Sequence, residues 1–310
     1  MRALAIDLGG THAKCAVVED RKVQAARHLD LDSAQGLNTA LPLLAGTLRE
    51  LLSECGLSAK DCAGLSFGSC GIVDSSTGRF LSTNQKWDDA PSLDLPEWCR
   101  QEFSLPLRLE NDARMALLGE WYAGAARGFE DVAMLTLGTG IGGATMIGGH
   151  LLRGKHSQAG NLGGHQPVLF TGRACTCGGI GCAEAEAGGW SLPLIAREWP
   201  GFEQSALAKE AQVNFEALFR LAGQGDRVSG EVRDRCLHVW AAAAVGMVHA
   251  FDPEVVVFGG GVMKSADVIL PFVQEYVGKH TWTPWGKVQV RAAELGNDAG
   301  LLGAIPLLSE

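Results

Sequence analysis

Two glycine-threonine turns, each set between apolar strand-like runs, constrain the fold of this chain more than any other feature. They are DLGGTHAKCAV at residues 7–17 and TLGTGIGGATM at residues 136–146. Each pattern predicts a hairpin whose turn presents backbone N–H groups and a threonine hydroxyl, which together can hold phosphate oxygens. An ordinary glycine-rich hairpin turn has the same composition, so one such turn alone decides little. Their repetition predicts a chain built from two similar halves.

The remaining pattern alternates strands with helices, which is typical of an α/β fold. Strands are predicted at residues 3–7, 13–18, 23–27, 64–67, 105–109, 132–137, 143–147 and 253–258. Helices are predicted at about 36–55, 113–123, 232–251 and 300–308. A third glycine cluster, VVVFGGGV, ends the last strand. Neither the Rossmann nor the Walker glycine pattern occurs in a strand–helix setting, so a nucleotide would be held differently.

Composition and charge exclude several classes of protein. The 310 residues are 46% hydrophobic, enough for a substantial core, and carry a formal net charge of −9, which disfavours nucleic acid and membrane surfaces as partners. No apolar run reaches the ~18–20 residues of a membrane helix. The N-terminus lacks the pattern of a signal peptide. We therefore expect a cytoplasmic protein with no nucleic-acid or membrane partner.

Three of the nine cysteines lie close together in CTCGGIGC, residues 175–182. Cys175 and Cys177 are too close for an easy mutual disulfide, and the redox spacing C-x-x-C is absent. His165 stands ten residues upstream. One imidazole and three thiolates form a preferred tetrahedral set for structural zinc, so the predicted ligands are His165, Cys175, Cys177 and Cys182. The other six cysteines, in apolar or helical stretches, are predicted to be buried thiols in a reducing compartment.

Taken together, these motifs resemble the ROK family of sugar kinases and related repressors. The stretches that carry the resemblance follow the family's order along nearly the whole chain: DLGGT, ENDARMALLGE (110–120), LTLGTGIGG (135–143), the histidine-plus-cysteine element (165–182), PEVVVFGGGV (253–262) and NDAGLLGA (297–304). Family repressors carry an N-terminal helix-turn-helix, for which a first turn at residue 7 leaves no room. The resemblance therefore points to a kinase.

The resemblance also implies a fold and an activity. The fold is α/β, a two-lobed actin-like ATPase (ribonuclease H-like) fold with a structural zinc loop. Its lobes would be residues 1–112, with residues 297–310 packed back on them, and residues 113–296. The implied activity is transfer of the γ-phosphate of ATP, with Mg²⁺, to the 6-hydroxyl of a glucose-like sugar, an N-acylhexosamine or a glucoside. A homodimer with structural Zn²⁺ is expected. The alternative is a non-catalytic sugar sensor that acts through protein partners.

The resemblance assigns roles to individual residues. Asp112 is the implied base that faces the acceptor hydroxyl, although it could also simply N-cap the following helix. Asp7 is expected to hold Mg²⁺ through water. Phosphate and nucleotide contacts are expected from Gly9, Gly10, Thr11, Lys14, Gly138, Thr139, Gly140, Gly260 and Gly261. Sugar contacts are expected from Gly71, Asn111, Asp112, Asn161, His165 and Glu184. Glu186 is expected on a solvated helix face.

Two departures from the family pattern concern the sugar. Family kinases usually have G-E-x-G-H before the zinc histidine, whereas residues 159–165 are AGNLGGH, with Leu162 in place of the glutamate. Either Gly164 is an insertion and Asn161 replaces the glutamate, or that contact is missing. An amide both donates and accepts where a carboxylate only accepts, so the preferred sugar can differ from glucose. Cys70 stands where the family commonly has proline in G-x-P-G.

Overall fold

The computed structural model describes residues 1–83 and 86–310, and the chain divides into two compact units. The first unit contains Met1–Gly128, Leu151–Asn161 and Glu294–Glu310, and the second contains Phe129–His150 and Leu162–Ala293. The first unit extends past the boundary near residue 112 that the sequence suggested, because the helix beginning there packs on the two C-terminal helices. Within the described residues, no helix is both long and apolar enough to cross a membrane.

Twelve strands and ten α-helices make up the described part of the chain. The strands are β1 (Arg2–Leu8), β2 (His12–Glu19), β3 (Lys22–Asp30), β4 (Leu65–Ser69), β5 (Ile72–Asp74), β6 (Arg79–Ser82), β7 (Leu107–Asn111), β8 (Val132–Leu137), β9 (Ile141–Ile147), β10 (His150–Leu151), β11 (Val255–Gly259) and β12 (Gln289–Ala292). The helices are α1 (Leu37–Glu54), α2 (Leu95–Phe103), α3 (Asp112–Ala123), α4 (Ala183–Ala187), α5 (Leu192–Arg197), α6 (Phe215–Gly223), α7 (Arg227–Phe251), α8 (Ala266–His280), α9 (Ala299–Leu302) and α10 (Ala304–Ser309).

The two units contain five-stranded sheets of the same topology. The first sheet has the order β3-β2-β1-β4-β7 and the second β10-β9-β8-β11-β12. In the first, β1 pairs antiparallel with β2 and parallel with β4, and β4 pairs parallel with β7. In the second, β8 pairs antiparallel with β9 and parallel with β11, and β11 pairs parallel with β12. The two similar halves predicted from the repeated turns are therefore present.

Each unit buries its own apolar core. In the first, Leu44 and Leu48 of α1 lie on one helical face and pack in a cluster with Ile6 of β1. In the second, Trp240 of α7 and Phe258 of β11 belong to a separate cluster. All five side chains are at most 2% exposed. The sequence predicts the position of α1 closely, because its apolar residues recur at helical spacing.

Two helices differ from the sequence prediction at their ends. The predicted helix at 232–251 begins earlier, at Arg227, because the Asp226 carboxylate accepts a hydrogen bond from the Ser229 N–H and caps it. The predicted helix at 300–308 is divided at Gly303 into α9 and α10. A Cβ on Gly303 would stand 2.3 Å from the Met115 carbonyl oxygen, so α3 and this C-terminal pair approach closely.

Candidate active site

Three parallel strands of the first sheet end at one edge and carry predicted site residues there. In the register, Asp7 of β1 pairs with Gly68 of β4, and Ser69 pairs with Asn111 of β7. The carboxyl ends of parallel strands form the edge at which open α/β sheets bind ligands. Asp112 follows β7 directly, as the first residue of α3. The fold therefore brings Asp7, Asn111 and Asp112 to the same edge.

The two aspartates at this edge are both desolvated, and the charge of Asp112 acts on Asp7. Both keep some exposed surface, yet the surrounding protein atoms desolvate them. Desolvation raises the pKa of Asp7 to about 6, the Asp112 charge adds to the rise, and the Lys14 ammonium opposes it. Desolvation also raises the pKa of Asp112. A 2.8 Å hydrogen bond from the Ala113 N–H to its carboxylate lowers the pKa and so offsets part of this rise. A carboxylate with a raised pKa accepts a proton more readily, which suits a general base.

Asn111, rather than Asp112, is the N-cap of α3. Its Oδ1 accepts hydrogen bonds from the Ala113 and Arg114 N–H groups at 2.9 and 3.3 Å. Its Nδ2 donates to the Gly71 carbonyl oxygen at 3.0 Å and to Asp112 Oδ1 at 2.9 Å. These bonds occupy both donors and the acceptor of the amide. Asn111 therefore positions Asp112, and a sugar hydroxyl would have to replace one of these bonds.

Gly71, a predicted sugar contact, adopts a backbone conformation that favours glycine. Its φ is +100°, and a Cβ there would lie 2.4 Å from the Ser82 carbonyl oxygen of β6. The turn is therefore closed against the β5–β6 hairpin even though Cys70 replaces the family's usual proline. Desolvation raises the pKa of the Cys70 thiol, and the Asp112 charge adds to the rise. This thiol is therefore close enough to the acidic pair to sense its charge.

The first glycine-threonine turn is fixed by its carbonyl oxygens. The Gly9 carbonyl accepts a hydrogen bond from Trp87 Nε1 at 2.9 Å, and the Gly10 carbonyl accepts one from the Ser33 N–H at 3.3 Å. The carbonyl and the N–H of a trans peptide point in opposite directions. The N–H groups of Gly10 and Thr11 are therefore directed away from these donors, as an anion-binding turn requires.

Lys14, a predicted phosphate contact, has an anionic partner within the first unit. Its Nζ lies 2.5 Å from Asp298 Oδ1 and 3.5 Å from the Asn297 carbonyl oxygen. Asp298 belongs to the NDAGLLGA motif, which therefore holds the lysine beside the first turn. In the register, Lys14 pairs with Asp7, whose pKa its charge lowers. Lys14 thus neutralises part of the acidic edge.

A buried ionic network lies directly behind the acidic pair. Glu110 and Arg114 are fully buried and form an ion pair of 3.3 Å, and Arg153 contacts the other oxygen of Glu110 at 2.7 Å. Arg114 also donates to the carbonyl oxygens of Leu152 and Ala159 at 3.1 and 2.8 Å. Charged groups removed from water in this way need such partners. The network ties the segment that ends at Asn161 to the start of α3.

The second glycine-threonine turn is held by the segment that follows the cysteines. The Gly138 and Thr139 carbonyl oxygens accept hydrogen bonds from the Gly189 and Trp190 N–H groups at 3.0 and 2.9 Å. Glu184 Oε2 accepts from the Ile141 N–H at 2.8 Å, and its Oε1 accepts from Trp190 Nε1 at 3.2 Å. The carboxylate predicted to contact the sugar is therefore hydrogen-bonded to the protein beside Gly140.

The third glycine cluster contains Gly260, where neighbouring backbone excludes a side chain, and Gly261, where a side chain would have open space. Gly260 has φ +89°, and a Cβ there would lie 2.2 Å from the Leu137 carbonyl oxygen, so β8 itself excludes a side chain. Gly261 has no atom within 4 Å of the corresponding position, and neither has Gly138. Open space at glycine backbone is where a nucleotide can approach closely.

The four predicted metal ligands converge on one point in the second unit. Their ligand atoms all lie within 4.8 Å of one another. His165 Nδ1 and Cys175 Sγ are 3.6 Å apart, and Cys177 Sγ and Cys182 Sγ are 3.7 Å apart. Tetrahedral zinc with Zn–S bonds of about 2.3 Å spaces two sulfurs by about 3.8 Å. The donor set and its spacing therefore fit a four-coordinate zinc ion.

The expectation that Glu186 lies on a solvated helix face was wrong. Its side chain is 1% exposed and forms an ion pair with Arg235 of α7. Its Oε1 also accepts a hydrogen bond from the Arg173 N–H at 2.5 Å. A buried carboxylate needs such partners because desolvation is otherwise unfavourable. Glu186 therefore anchors the loop of the metal ligands to α7.

A model of the ROK family matches residues 3–310. The chain belongs to the ROK family. A glucokinase of Thermotoga maritima is 32% identical to it over 319 aligned residues, which cover 100% of this chain and 98% of the relative.

Solved structures of the ROK family are similar to the whole chain. A ROK hexokinase from Thermus thermophilus has a TM-score of 0.81 and 31% identity, covering 99% of this chain and 97% of the other. A ROK family glucokinase from Streptomyces griseus, solved in complex with glucose and AMPPNP, has a TM-score of 0.80 and 27% identity, with 99% of both chains covered. The predicted α/β fold of the actin-like ATPase class is therefore confirmed.

The departure from the ROK glutamate motif lies in a tightly packed turn. Leu162, in place of the glutamate, is 36% exposed, whereas the neighbouring Asn161 is buried. A Cβ on Gly164 would stand 1.8 Å from the Ile141 carbonyl oxygen of β9, so this turn accepts only glycine there. Of the two neighbouring side chains, only the amide of Asn161 offers hydrogen bonds to a sugar.

Several residues near the first turn escaped the sequence prediction. Trp87 and Lys86 contact Gly9 and Gly10, and Arg114 joins the buried network. The Glu110–Arg114 pair is close in sequence, but Glu110 lies in β7 and Arg114 in α3, so the helical spacing rule does not predict the pair. Trp87 and Lys86 have no local signal, because their partners lie far away along the chain.

Proposed function

We propose that this chain is an ATP-dependent sugar kinase that transfers the γ-phosphate of ATP to the 6-hydroxyl of a hexose. The observation that carries the proposal is the pair of desolvated carboxyls Asp7 and Asp112, which lie at the ends of parallel strands in the same unit as the first glycine-threonine turn. The Thermotoga maritima relative named glucokinase and the Streptomyces griseus structure with glucose and AMPPNP support the same pair of substrates. Candidate sugars are glucose-like hexoses, N-acylhexosamines and glucosides.

In the proposed reaction the 6-hydroxyl oxygen attacks the γ-phosphorus in line. Asp112 accepts the hydroxyl proton, and the 2.9 Å bond from Asn111 Nδ2 holds its carboxylate in place. The bond from the γ-phosphorus to the bridging oxygen breaks, and its electron pair leaves with ADP. The N–H groups of Gly10 and Thr11 bind phosphate oxygens. We assign Gly138, Thr139, Gly140, Gly260 and Gly261 to the nucleotide and Gly71, Asn161 and His165 to the sugar.

Two metal ions complete the proposal. Bound Mg²⁺ would neutralise phosphate charge, and Asp7 is the residue that would hold it, because a carboxylate oxygen or its bound water is the ligand this ion prefers. The rise in the pKa of Asp7 beside a second acid fits a site made for a cation. Zn²⁺ would be held by His165 and the three cysteines. Binding through Nδ1, which lies 3.6 Å from Cys175 Sγ, would leave Nε2 of His165 for a sugar hydroxyl.

Replacing Asp112 by Asn tests the assignment of the base. The amide keeps the size of the side chain and leaves the cap formed by Asn111, but it cannot accept a proton. We expect kcat to fall by about 10²–10⁴ while sugar binding is largely retained. The measurement is ADP release, in a coupled assay over a panel of hexoses, N-acylhexosamines and glucosides.

Asp94→Asn is the matched control, because the Asp94 carboxylate, like that of Asp112, accepts a backbone N–H hydrogen bond at the start of a helix. It is expected to turn over normally. Near-normal turnover of the Asp112 variant would show that another residue is the base. If the wild-type protein binds a sugar but releases no ADP with any sugar of the panel, the alternative function, a non-catalytic sugar sensor, is favoured. The replacement of the family glutamate by Leu162 supports this alternative.

A further inference from the structure

Residues 86–89 are anchored to the first glycine-threonine turn and to the start of α1. Trp87 is 1% exposed and donates its indole N–H to the Gly9 carbonyl oxygen at 2.9 Å. Its φ of +55° is unusual for a bulky residue and persists only where surrounding contacts hold it. Two residues on, Asp89 accepts hydrogen bonds from the Leu37 and Asn38 N–H groups, at 2.6 and 2.8 Å, and so fixes the start of α1.

This anchoring places the side chain of Lys86 against the turn. Its Cδ, Cε and Nζ lie 2.9, 3.0 and 3.3 Å from the position that a Cβ on Gly10 would occupy. The Lys86 backbone is held by a 3.2 Å bond from its N–H to the Thr83 carbonyl oxygen. The ammonium therefore lies beside a residue whose N–H faces the proposed phosphate.

The charge of Lys86 reaches the proposed base and is not neutralised by an acid. It lowers the pKa of Asp112 and that of Cys70, against the effect of desolvation. Lys14 and Lys279 form ion pairs, but over residues 1–83 and 86–310 no ion pair involves Lys86. Lys86 thus carries a positive charge beside the first glycine-threonine turn and within electrostatic reach of Asp112, with no ion pair to another described residue.

We propose that Lys86 is a further catalytic residue, whose ammonium binds an oxygen of the γ-phosphoryl group during transfer. This inference rests on the proposed kinase function. Negative charge on the transferring group spreads over its three equatorial oxygens, and a donor already in place stabilises that charge without reorganisation. Lysine binds phosphate as a point charge. Lys86 stays protonated throughout, because the proton of the 6-hydroxyl goes to Asp112.

The experiment compares Lys86→Met with Lys86→Arg. Methionine keeps an unbranched stem beside Gly10 and removes the charge, whereas arginine keeps the charge. We expect Lys86→Met to lower kcat/KM for ATP by about 10²–10³ with little change in the KM for sugar, and Lys86→Arg to recover part of the loss. Loss of the positive charge should also raise the apparent pKa of the acidic limb of the pH profile. Lys60→Met, an exposed lysine of the same unit, is the matched control and should behave as wild type.

Nucleotide binding tests the proposal separately from turnover. Because Lys86 would touch only the γ-phosphoryl group, Lys86→Met should weaken binding of AMPPNP about tenfold and leave ADP binding unchanged. If the wild-type protein phosphorylates no sugar, the proposed function fails, and this selective loss of AMPPNP affinity would still support the γ-phosphate contact. Equal AMPPNP affinity in wild type and variant, or a rise in the KM for sugar alone, would overturn the proposal.

Discussion

Two single residues at the edge of the first sheet, Asp7 and Asp112, are placed so that they lower the free energy of unfolding. Asp7 and Asp112 are both desolvated, and the Asp112 charge disfavours ionisation of Asp7. A fold under selection for stability alone would not place two carboxyls there. Such pairs are typical of sites that bind a cation or transfer a proton. The pair therefore predicts a stability that depends on pH in a particular direction.

Asp7→Asn should make the protein more stable at neutral pH. The pKa of Asp7 is about 6 in the folded protein against an ordinary value of 3.8, so the native state binds the proton more tightly than the unfolded state does. Its ionisation therefore destabilises the fold fully above about pH 6, and the effect disappears below about pH 4. Because Asp7 keeps some solvent contact, we expect a gain of about 1–3 kcal/mol at pH 8 and none at pH 3.5.

The measurement is urea unfolding at both pH values in chelator, without nucleotide. Asp20→Asn is a control of opposite sign, because the exposed Asp20 carboxylate accepts a bond from the N-terminal ammonium, which lowers its pKa. That variant should lose stability at neutral pH. A variant of Asp7 that gains nothing at pH 8 would show that the desolvation of this carboxyl is smaller than the structure indicates.

At the scale of elements, the short helix α4 connects the metal ligands to the second glycine-threonine turn. Cys182 immediately precedes α4, and Glu184 within it bonds to Ile141 at the start of β9. Gly189 and Trp190, just after α4, bond to the carbonyl oxygens of the same turn. These bonds make Glu184 a positioning residue for the turn, in addition to or in place of the sugar contact that the family resemblance implies.

Glu184→Gln should therefore weaken nucleotide binding. The Ile141 N–H and Trp190 Nε1 bond to different oxygens of the Glu184 carboxylate. In glutamine one of these two positions is an NH₂ group, which donates and cannot accept, so one of the two bonds is lost. We expect the KM for ATP to rise about tenfold, equivalent to ~1.4 kcal/mol. Trp190→Phe removes only one donor and should have a smaller effect. The measurement is steady-state ADP release. A rise in the KM for sugar alone would show that Glu184 contacts the sugar and does not position the turn.

At the scale of the whole molecule, two sheets of the same topology have different accessory elements. The first unit adds the β5–β6 hairpin and the buried Glu110–Arg114 pair, and the second adds the loop of the metal ligands. Each unit has its own core, so loss of one accessory element is expected to loosen mainly its own unit.

Removal of the metal should therefore have a regional effect on hydrogen exchange. We expect a chelator to raise exchange at residues 165–190 and, through α4, at residues 138–141, while β1, β4 and β7 stay protected. Cys182→Ser should reproduce this pattern and lower the thermal stability. Elemental analysis of the untreated protein should find one zinc per chain. Equal loss of protection in both sheets would show that the metal supports the whole fold.

The sequence alone determined the features that depend on neighbours along the chain. The glycine-threonine turns predicted β1, β2, β8 and β9, because a turn and its flanking apolar runs are encoded locally. Leucines at helical spacing predicted α1 within about two residues at each end. The clustering of His165 with three cysteines followed from their spacing within one loop, and the family from motifs in a fixed order. Short elements without a strong period, such as α2 and β12, were missed.

Only the tertiary structure decided which atoms meet across long distances in the chain. It made Asn111 the cap of α3, a role that the sequence had offered to Asp112, because the bond to Gly71 fixes the Asn111 side chain. It buried Glu186 against Arg235, although a glutamate in a short polar helix is usually solvated. It also brought Lys86 beside Gly10. Side chains of this kind have no local signal, since their energies come from partners that the fold brings together.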